Sequence, residues 1–245
     1  MITGASSGIG RDIAVNLSNR GYDLVIVARD KNGLLETKKL CKTTVIVESV
    51  DLSDTDNCIK LFNKYKDINI LVNNAGFGLF GGFDETDLDK ELNMIDLNIK
   101  ALHILTKLYL KEMIKKDSGY ILNVASIAAF LPGPLLNTYY STKSYVIRLT
   151  TALYEELRRK NSNVKVSVLC PGPVNTNFNN VANVTFALKG MESKYVADYA
   201  ISKMFKNKLI IIPGFMNKLG VFMCRFAPIK TLLKIVYNTQ RKKGD

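Results

Sequence analysis

Short apolar runs recur along this chain with helical patterns between them, and that alternation restricts the fold more than any other feature. The runs fall at 23–28, 44–49, 68–72, 119–124, 164–170 and 208–212, and the helical patterns between them cover 31–42, 55–66, 86–116 and 139–161. Continuous apolar runs suit strands covered on both faces. Strands alternating with helices build βαβ units, so the expected class is α/β: a doubly wound parallel sheet in a three-layer αβα arrangement. Ser53 or Asp54 can cap the helix expected over 55–66. A chain of 245 residues suits one such domain, 1–245, and no repeat, low-complexity stretch or interior linker divides it.

The composition fits this reading. At 47% hydrophobic and 23% charged residues the chain can build a large core, and disorder is not expected. The longest uncharged runs are broken by Asn, Ser, Pro and Gly, so no membrane span is expected. Cys41, Cys58, Cys170 and Cys224 lack paired spacing, which suggests reduced thiols and a cytoplasmic protein. With His103 the sole histidine, no metal site is expected and a Ser-His-Asp site would rest on one residue of a helical run.

Two stretches carry chemistry. The first, TGASSGIG over 3–10, sets Gly4, Gly8 and Gly10 ahead of the helical pattern of Ile13, Ala14 and Leu17. Glycines at a strand-to-helix turn let a pyrophosphate approach backbone N–H groups at the positive end of the helix. The second runs from Ser126 to Lys143. In a helix, Tyr139 and Lys143 lie one above the other, and an ammonium beside a phenol lowers the phenol's usual pKa of about 10. That pairing suits a general acid/base. Tyr140 competes for the same lysine, and packing is the expected role for it.

Taken together and in order, Thr3 to Gly10, Asp51-Leu52, Asn73 to Gly76, Asn98, Ser126, Tyr139 with Lys143, and Pro171-Gly172 resemble the short-chain dehydrogenase/reductase family. The resemblance implies a Rossmann-type fold, a nicotinamide cofactor, and hydride transfer between it and a carbonyl or secondary alcohol. Ser126 would then hydrogen-bond the substrate oxygen, and Tyr139 would exchange its proton. Lys143 would lower the Tyr139 pKa and bind the nicotinamide ribose, and Asn98 would hold a relay water. The cofactor-binding set implied is Gly4, Ser6, Ser7, Gly8, Ile9, Gly10, Arg29, Asp51, Leu52, Asn74, Ala75, Gly76, Tyr139, Lys143, Pro171, Gly172, Val174 and Thr176. Relatives are commonly homodimers or homotetramers.

Within that resemblance, Arg29 stands where NAD-preferring relatives carry an acidic residue. A guanidinium suits a 2′-phosphate, so NADP(H) is favoured over NAD(H). A strand ending one residue later would put Asp30 there instead and reverse the preference.

Two departures stand out. Only Met1 and Ile2 precede the glycine stretch, where relatives have a strand of about five residues, so either the start is misassigned or the first strand is a stub at the sheet centre. At the other end, residues 214–245 carry seven basic residues and one acidic, half of the net charge of +12. Leu219, Phe222, Met223 and Phe226 share a helical face, and so do Leu232, Leu233 and Val236. Such an amphipathic basic extension is expected to cover the substrate cleft, then to join oligomer contacts, and last to rest on a membrane surface. Nucleic acid has only the charge in its favour and no recognition motif, so none is expected as a partner. Apolar cleft walls at 76–81, 129–132, Leu135-Leu136 and Phe178 onward point to a hydrophobic small-molecule carbonyl or alcohol substrate. The alternative reading is a silent dinucleotide-binding regulator or scaffold of the same fold.

Overall fold

The computed structural model describes residues 1–176 and 190–241. In chain order the strands are β1 (Ile2–Thr3), β2 (Leu24–Ala28), β3 (Val45–Ser49), β4 (Ile70–Asn73), β5 (Tyr120–Val124), β6 (Lys165–Leu169), β7 (Val174–Asn175), β8 (Met191–Glu192) and β9 (Ile210–Ile211). Seven of them form one parallel sheet in the order β3-β2-β1-β4-β5-β6-β9, and β7 pairs with β8 alone. The order reverses direction beside β1. That leaves a crevice where the carboxyl ends of β1 and β4 part, the usual ligand position in open α/β sheets.

The helices are α1 (Gly8–Asn19), α2 (Lys31–Leu40), α3 (Thr55–Lys64), α4 (Leu88–Ile95), α5 (Leu102–Lys116), α6 (Asn137–Arg159), α7 (Ser193–Phe205), α8 (Phe215–Met223) and α9 (Ile229–Arg241). Strand alternation distributes side chains to two cores. Leu24 and Ile26 face Ile13, Leu17 and Ile201, while Val25 and Val27 face Leu61, Leu105 and Tyr109. Helix α2 starts at the Asp30 carboxylate, which accepts from the Gly33 N–H at 3.0 Å, and α3 starts at Asp54, which accepts from the Asp56 N–H at 2.8 Å.

The stub at the sheet centre is seen. Two residues of β1 pair with β2 on one side, and Ile2 pairs with Val72 of β4 on the other. Met1 extends the β4 side, donating from its nitrogen to the Ile70 carbonyl at 2.7 Å and accepting from the Val72 N–H at 2.9 Å. Backbone pairing is thus completed by residues beyond the strand proper.

Two differences from the sequence reading matter. The helical pattern over 86–116 is not one α-helix. Between α4 and α5, residues Asp96–Ala101 form a π-helical segment, which widens the turn by one residue. Helix α7 also has no counterpart in the sequence reading. Its buried Val196, Ala197, Ala200, Ile201 and Met204 show helical spacing that could have revealed it.

Candidate active site

The crevice floor is tied across β1 and β4. Thr3 Oγ1 accepts from the Asn74 and Ala75 N–H groups, both at 3.0 Å, and Asn74 Nδ2 donates to the Thr3 and Gly4 carbonyls at 3.0 and 3.1 Å. Gly4 and Gly8 have φ of +65° and +53°, conformations that glycine adopts without strain. A Cβ on Gly10 would lie 2.2 Å from the Gly4 carbonyl oxygen. Ser7 caps α1 without a side-chain hydrogen bond, and the first turn holds no acidic residue. The floor is therefore backbone N–H at a positive helix end, shaped so closely that side chains would fill it. These residues fit a dinucleotide pyrophosphate.

Arg11, absent from the sequence reading, braces this loop. It donates through Nη2 to the Ser6 carbonyl and through Nε to Thr37 Oγ1 at 3.0 Å, and Thr37 Oγ1 in turn donates to the Ala5 carbonyl at 2.8 Å. Past β2, Arg29 is exposed and its Nη1 lies 3.7 Å from Asp51 Oδ2. Asp30 caps α2 and is exposed, as Arg29 is. Burial would raise the Asp51 carboxyl, but two hydrogen bonds from Ser53 and the nearby Arg29 hold it below its ordinary value. The Leu52 side chain is buried in the core, so only its backbone is left to meet a ligand.

A cleft of about 320 Å³ opens above the floor. Its walls include Gly4, Ser7, Gly8, Ile9, Asn74, Ala75, Gly76, Ser126, Tyr139, Lys143, Pro171, Gly172, Val174 and Thr176. Ser6, Gly10, Arg29, Asp51, Leu52 and Asn98 lie outside that lining. Of the expected apolar walls, Phe77, Leu131 and Leu136 line it, and Phe178 lies outside the described residues.

Ser126 precedes a short 3-10 turn, Ile127–Phe130, and its Oγ accepts from the Ala128 N–H at 3.1 Å while also hydrogen-bonding Tyr139. Lys143, one helical turn beyond Tyr139, is 5% exposed, donates to the Val124 carbonyl at 3.0 Å and holds its Nζ 5.8 Å from the Tyr139 ring centroid. A Cβ on Gly76 would come 3.3 Å from that nitrogen and 2.7 Å from Asn98 Oδ1, so only glycine lets the loop pass.

The expected lowering of the phenol pKa is corrected here. Burial pushes the Tyr139 phenol well above its ordinary value, against the pull of the Ser126 hydrogen bond. Burial also lowers the Lys143 ammonium to about 8. Desolvation penalises the charged form of each.

Asn98 sits within the π-helical segment, 1% exposed. Its Nδ2 donates to the Phe77 carbonyl at 2.9 Å and to Thr142 Oγ1 at 3.1 Å, and its Oδ1 accepts from the Phe77 N–H at 3.1 Å. It ties the loop after β4 to α6. Tyr140 does more than pack. It lines the cleft, and its hydroxyl accepts from Gln240 Nε2 of α9. His103 is exposed and meets Tyr145 through Nδ1 at 2.7 Å, away from the cleft.

A seven-stranded parallel sheet, a glycine floor at its switch point, and a Ser-Tyr-Lys wall define a dinucleotide-dependent oxidoreductase. The profile described as short chain dehydrogenase matches residues 1–185, and the chain belongs to that family of NAD(P)-dependent enzymes. It is similar to an uncharacterized oxidoreductase of Staphylococcus epidermidis, 36% identical over 181 residues, covering 72% of this chain and 77% of the relative. A very-long-chain 3-oxoacyl-CoA reductase-B of Danio rerio is 33% identical over 172 residues, covering 65% of this chain and 55% of the relative. Among solved structures, a short-chain dehydrogenase from Sphingobium yanoikuyae in complex with NADPH superposes with a TM-score of 0.80 at 30% identity, covering 87% of each chain. Among the described residues no helix is long and apolar enough to cross a membrane.

Proposed function

We propose that this chain is an NADP(H)-dependent reductase of hydrophobic carbonyl compounds, with Tyr139 as the general acid. The convergence of Ser126, Tyr139 and Lys143 in the cleft that the glycine floor also lines carries this reading. A bound dinucleotide supplies the hydride to the carbonyl carbon. The Tyr139 hydroxyl donates its proton to the substrate oxygen, and Ser126 Oγ donates a hydrogen bond to the same atom. The Lys143 ammonium stabilises the phenolate left behind, and solvent returns the proton. In the oxidative direction Tyr139 takes the alcohol proton.

Asn98 holds Phe77 and Thr142 in register with this wall and carries the expected relay water on that frame. Arg29, exposed and beside Asp51, supports the preference for a 2′-phosphate, as does the NADPH held by the Sphingobium yanoikuyae relative. Leu131, Leu136 and Phe77 support an apolar substrate, and the Danio rerio relative's name points to acyl-chain ketones as a class to try first. A homodimer or homotetramer and a single domain over 1–245 complete the proposal.

The test follows the reduced nicotinamide absorbance with a panel of ketones and 3-oxoacyl thioesters, for the natural protein and for Tyr139→Phe. Turnover by the first and its near-complete loss in the second, with NADPH binding retained, supports the reading. NADPH binding without turnover of any compound by either protein favours the silent scaffold.

A further inference from the structure

Helices α8 and α9 touch the body of the protein through narrow stripes. On α9 the inward residues are Leu232, Val236 and Gln240, spaced by one helical turn, and on α8 they centre on Val221 and Asn217, whose Nδ2 donates to the Pro213 carbonyl at 2.9 Å. Large apolar side chains are left facing outward from both helices. Phe215 is 76% exposed and Phe226 69%, with Met216, Phe222, Met223 and Ile229 similarly bare. Phe222 and Phe226 meet edge to face at 5.2 Å, which keeps the aromatic pair on one side of the α8 turn. A run this apolar on a water-exposed surface marks an interaction site.

The charge of the same segment says what covers it. Residues 214–241 hold Lys218, Arg225, Lys230, Lys234 and Arg241 and no acidic residue at all. Among the described residues Arg225, Lys230 and Lys234 form no ion pair. A second copy seated on this face would bring its own cations against these, at a cost in repulsion. An anionic bilayer meets both demands at once: aromatic and aliphatic groups enter the headgroup boundary while lysine and arginine meet lipid phosphates. Neither helix can span a bilayer, so the pair lies along the surface.

We infer that α8 and α9 form an interfacial docking surface for an anionic lipid bilayer. The inward stripes of the same two helices reach the cleft. Gln240 at the end of α9 donates to the Tyr140 hydroxyl, which lines the cleft, and Asn217 of α8 packs where a Cβ on Gly172 would come within 2.6 Å of its Nδ2. Docking therefore sets the cleft beside the lipid surface, whichever substrate it serves. The membrane surface thus rises above the last place it held among the expected roles of this extension. The extension does flank the cleft, but its outer apolar face is left uncovered by that contact.

The test is co-sedimentation of the full chain with vesicles of phosphatidylcholine alone and with about one third phosphatidylserine. Alongside it run Phe215→Ser combined with Phe222→Ser and Phe226→Ser, and Arg225→Gln combined with Lys230→Gln and Lys234→Gln. All six positions are exposed, and unchanged melting confirms that the variants fold. Binding to the anionic vesicles, weakened about ten-fold or more in each variant and by high salt, is expected. Equal binding to both vesicle types, binding unchanged in the variants, or none at all would overturn the proposal. So would a concentration-dependent dimer that only the serine variant abolishes, which would assign the face to a second copy.

Discussion

Asn98 grips the main chain of Phe77 at both its polar ends, accepting from the N–H at 3.1 Å and donating to the carbonyl at 2.9 Å. A single amide thereby fixes the loop that forms one lip of the cleft. Asn98→Ala leaves the part-buried Phe77 backbone groups without their partner and is expected to lower stability by about 1–3 kcal/mol together with turnover. Thermal unfolding and steady-state rates check both. A loss of turnover with unchanged melting would leave the relay water as the whole of its role.

Tyr139→Phe removes the proton donor and keeps the ring. Turnover should fall by about 10²–10⁴-fold, the range of a general acid, while NADPH affinity by titration calorimetry stays within a factor of a few. Parallel loss of affinity would show that the phenol holds the cofactor instead.

Arg29→Ala should raise the Kd for NADPH by about 10- to 100-fold, the worth of a hydrogen bond to a charged group, and leave NADH nearly unchanged. Equal effects on both dinucleotides would remove Arg29 as the 2′-phosphate ligand.

Gly10→Ala places a methyl 2.2 Å from the Gly4 carbonyl oxygen and 2.5 Å from Asn74 Nδ2. Neither partner can retreat without breaking the tie between β1 and β4, so both melting temperature and dinucleotide binding should drop. A protein that melts normally and binds NADPH would contradict the close packing described.

The pH profile follows from Lys143, lowered by burial to about 8. The ammonium is present below that value and lost as pH rises through it, so kcat/KM for carbonyl reduction should decline above about pH 8. Tyr139, pushed upward, stays protonated across this range and does not add a limb. The sign for stability is opposite. A lysine whose folded pKa is depressed binds fewer protons folded than unfolded between about 8 and 10.5, so its contribution to stability improves as pH rises through that window. Lys143→Arg, charged at every working pH, should remove the alkaline limb whatever its maximal rate.

How much was legible depends on how local each signal is. Strands β2 to β6 and β9 were legible as short apolar-rich runs, whereas the two-residue β7 and β8 were not; Tyr139 and Lys143 were legible from helical spacing, and Ser126 through the family resemblance. Gly4, Gly8 and Gly10 were visible as well. What escaped depends on residues distant in sequence. Arg11 braces Ser6 and Thr37 only once α1 and α2 lie side by side, and Gln240 meets Tyr140 across a hundred positions. The π-helical segment escaped because the apolar spacing over 86–116 reads as one continuous helical pattern. The raised phenol and lowered ammonium follow from burial, which spacing does not disclose.

That extra residue in Asp96–Ala101 makes the cleft sensitive to length as well as identity. Deleting one residue there would let α4 run into α5 as an ordinary helix, and each position displaced would swing by about 100° around the axis. The flanking helices could survive that repair intact. The amide would face elsewhere, the Phe77 lip would lose its anchor, and a change with no substitution at any site residue would silence the cleft. Lengthening and shortening by one residue is thus a route by which such a fold could gain or discard this grip.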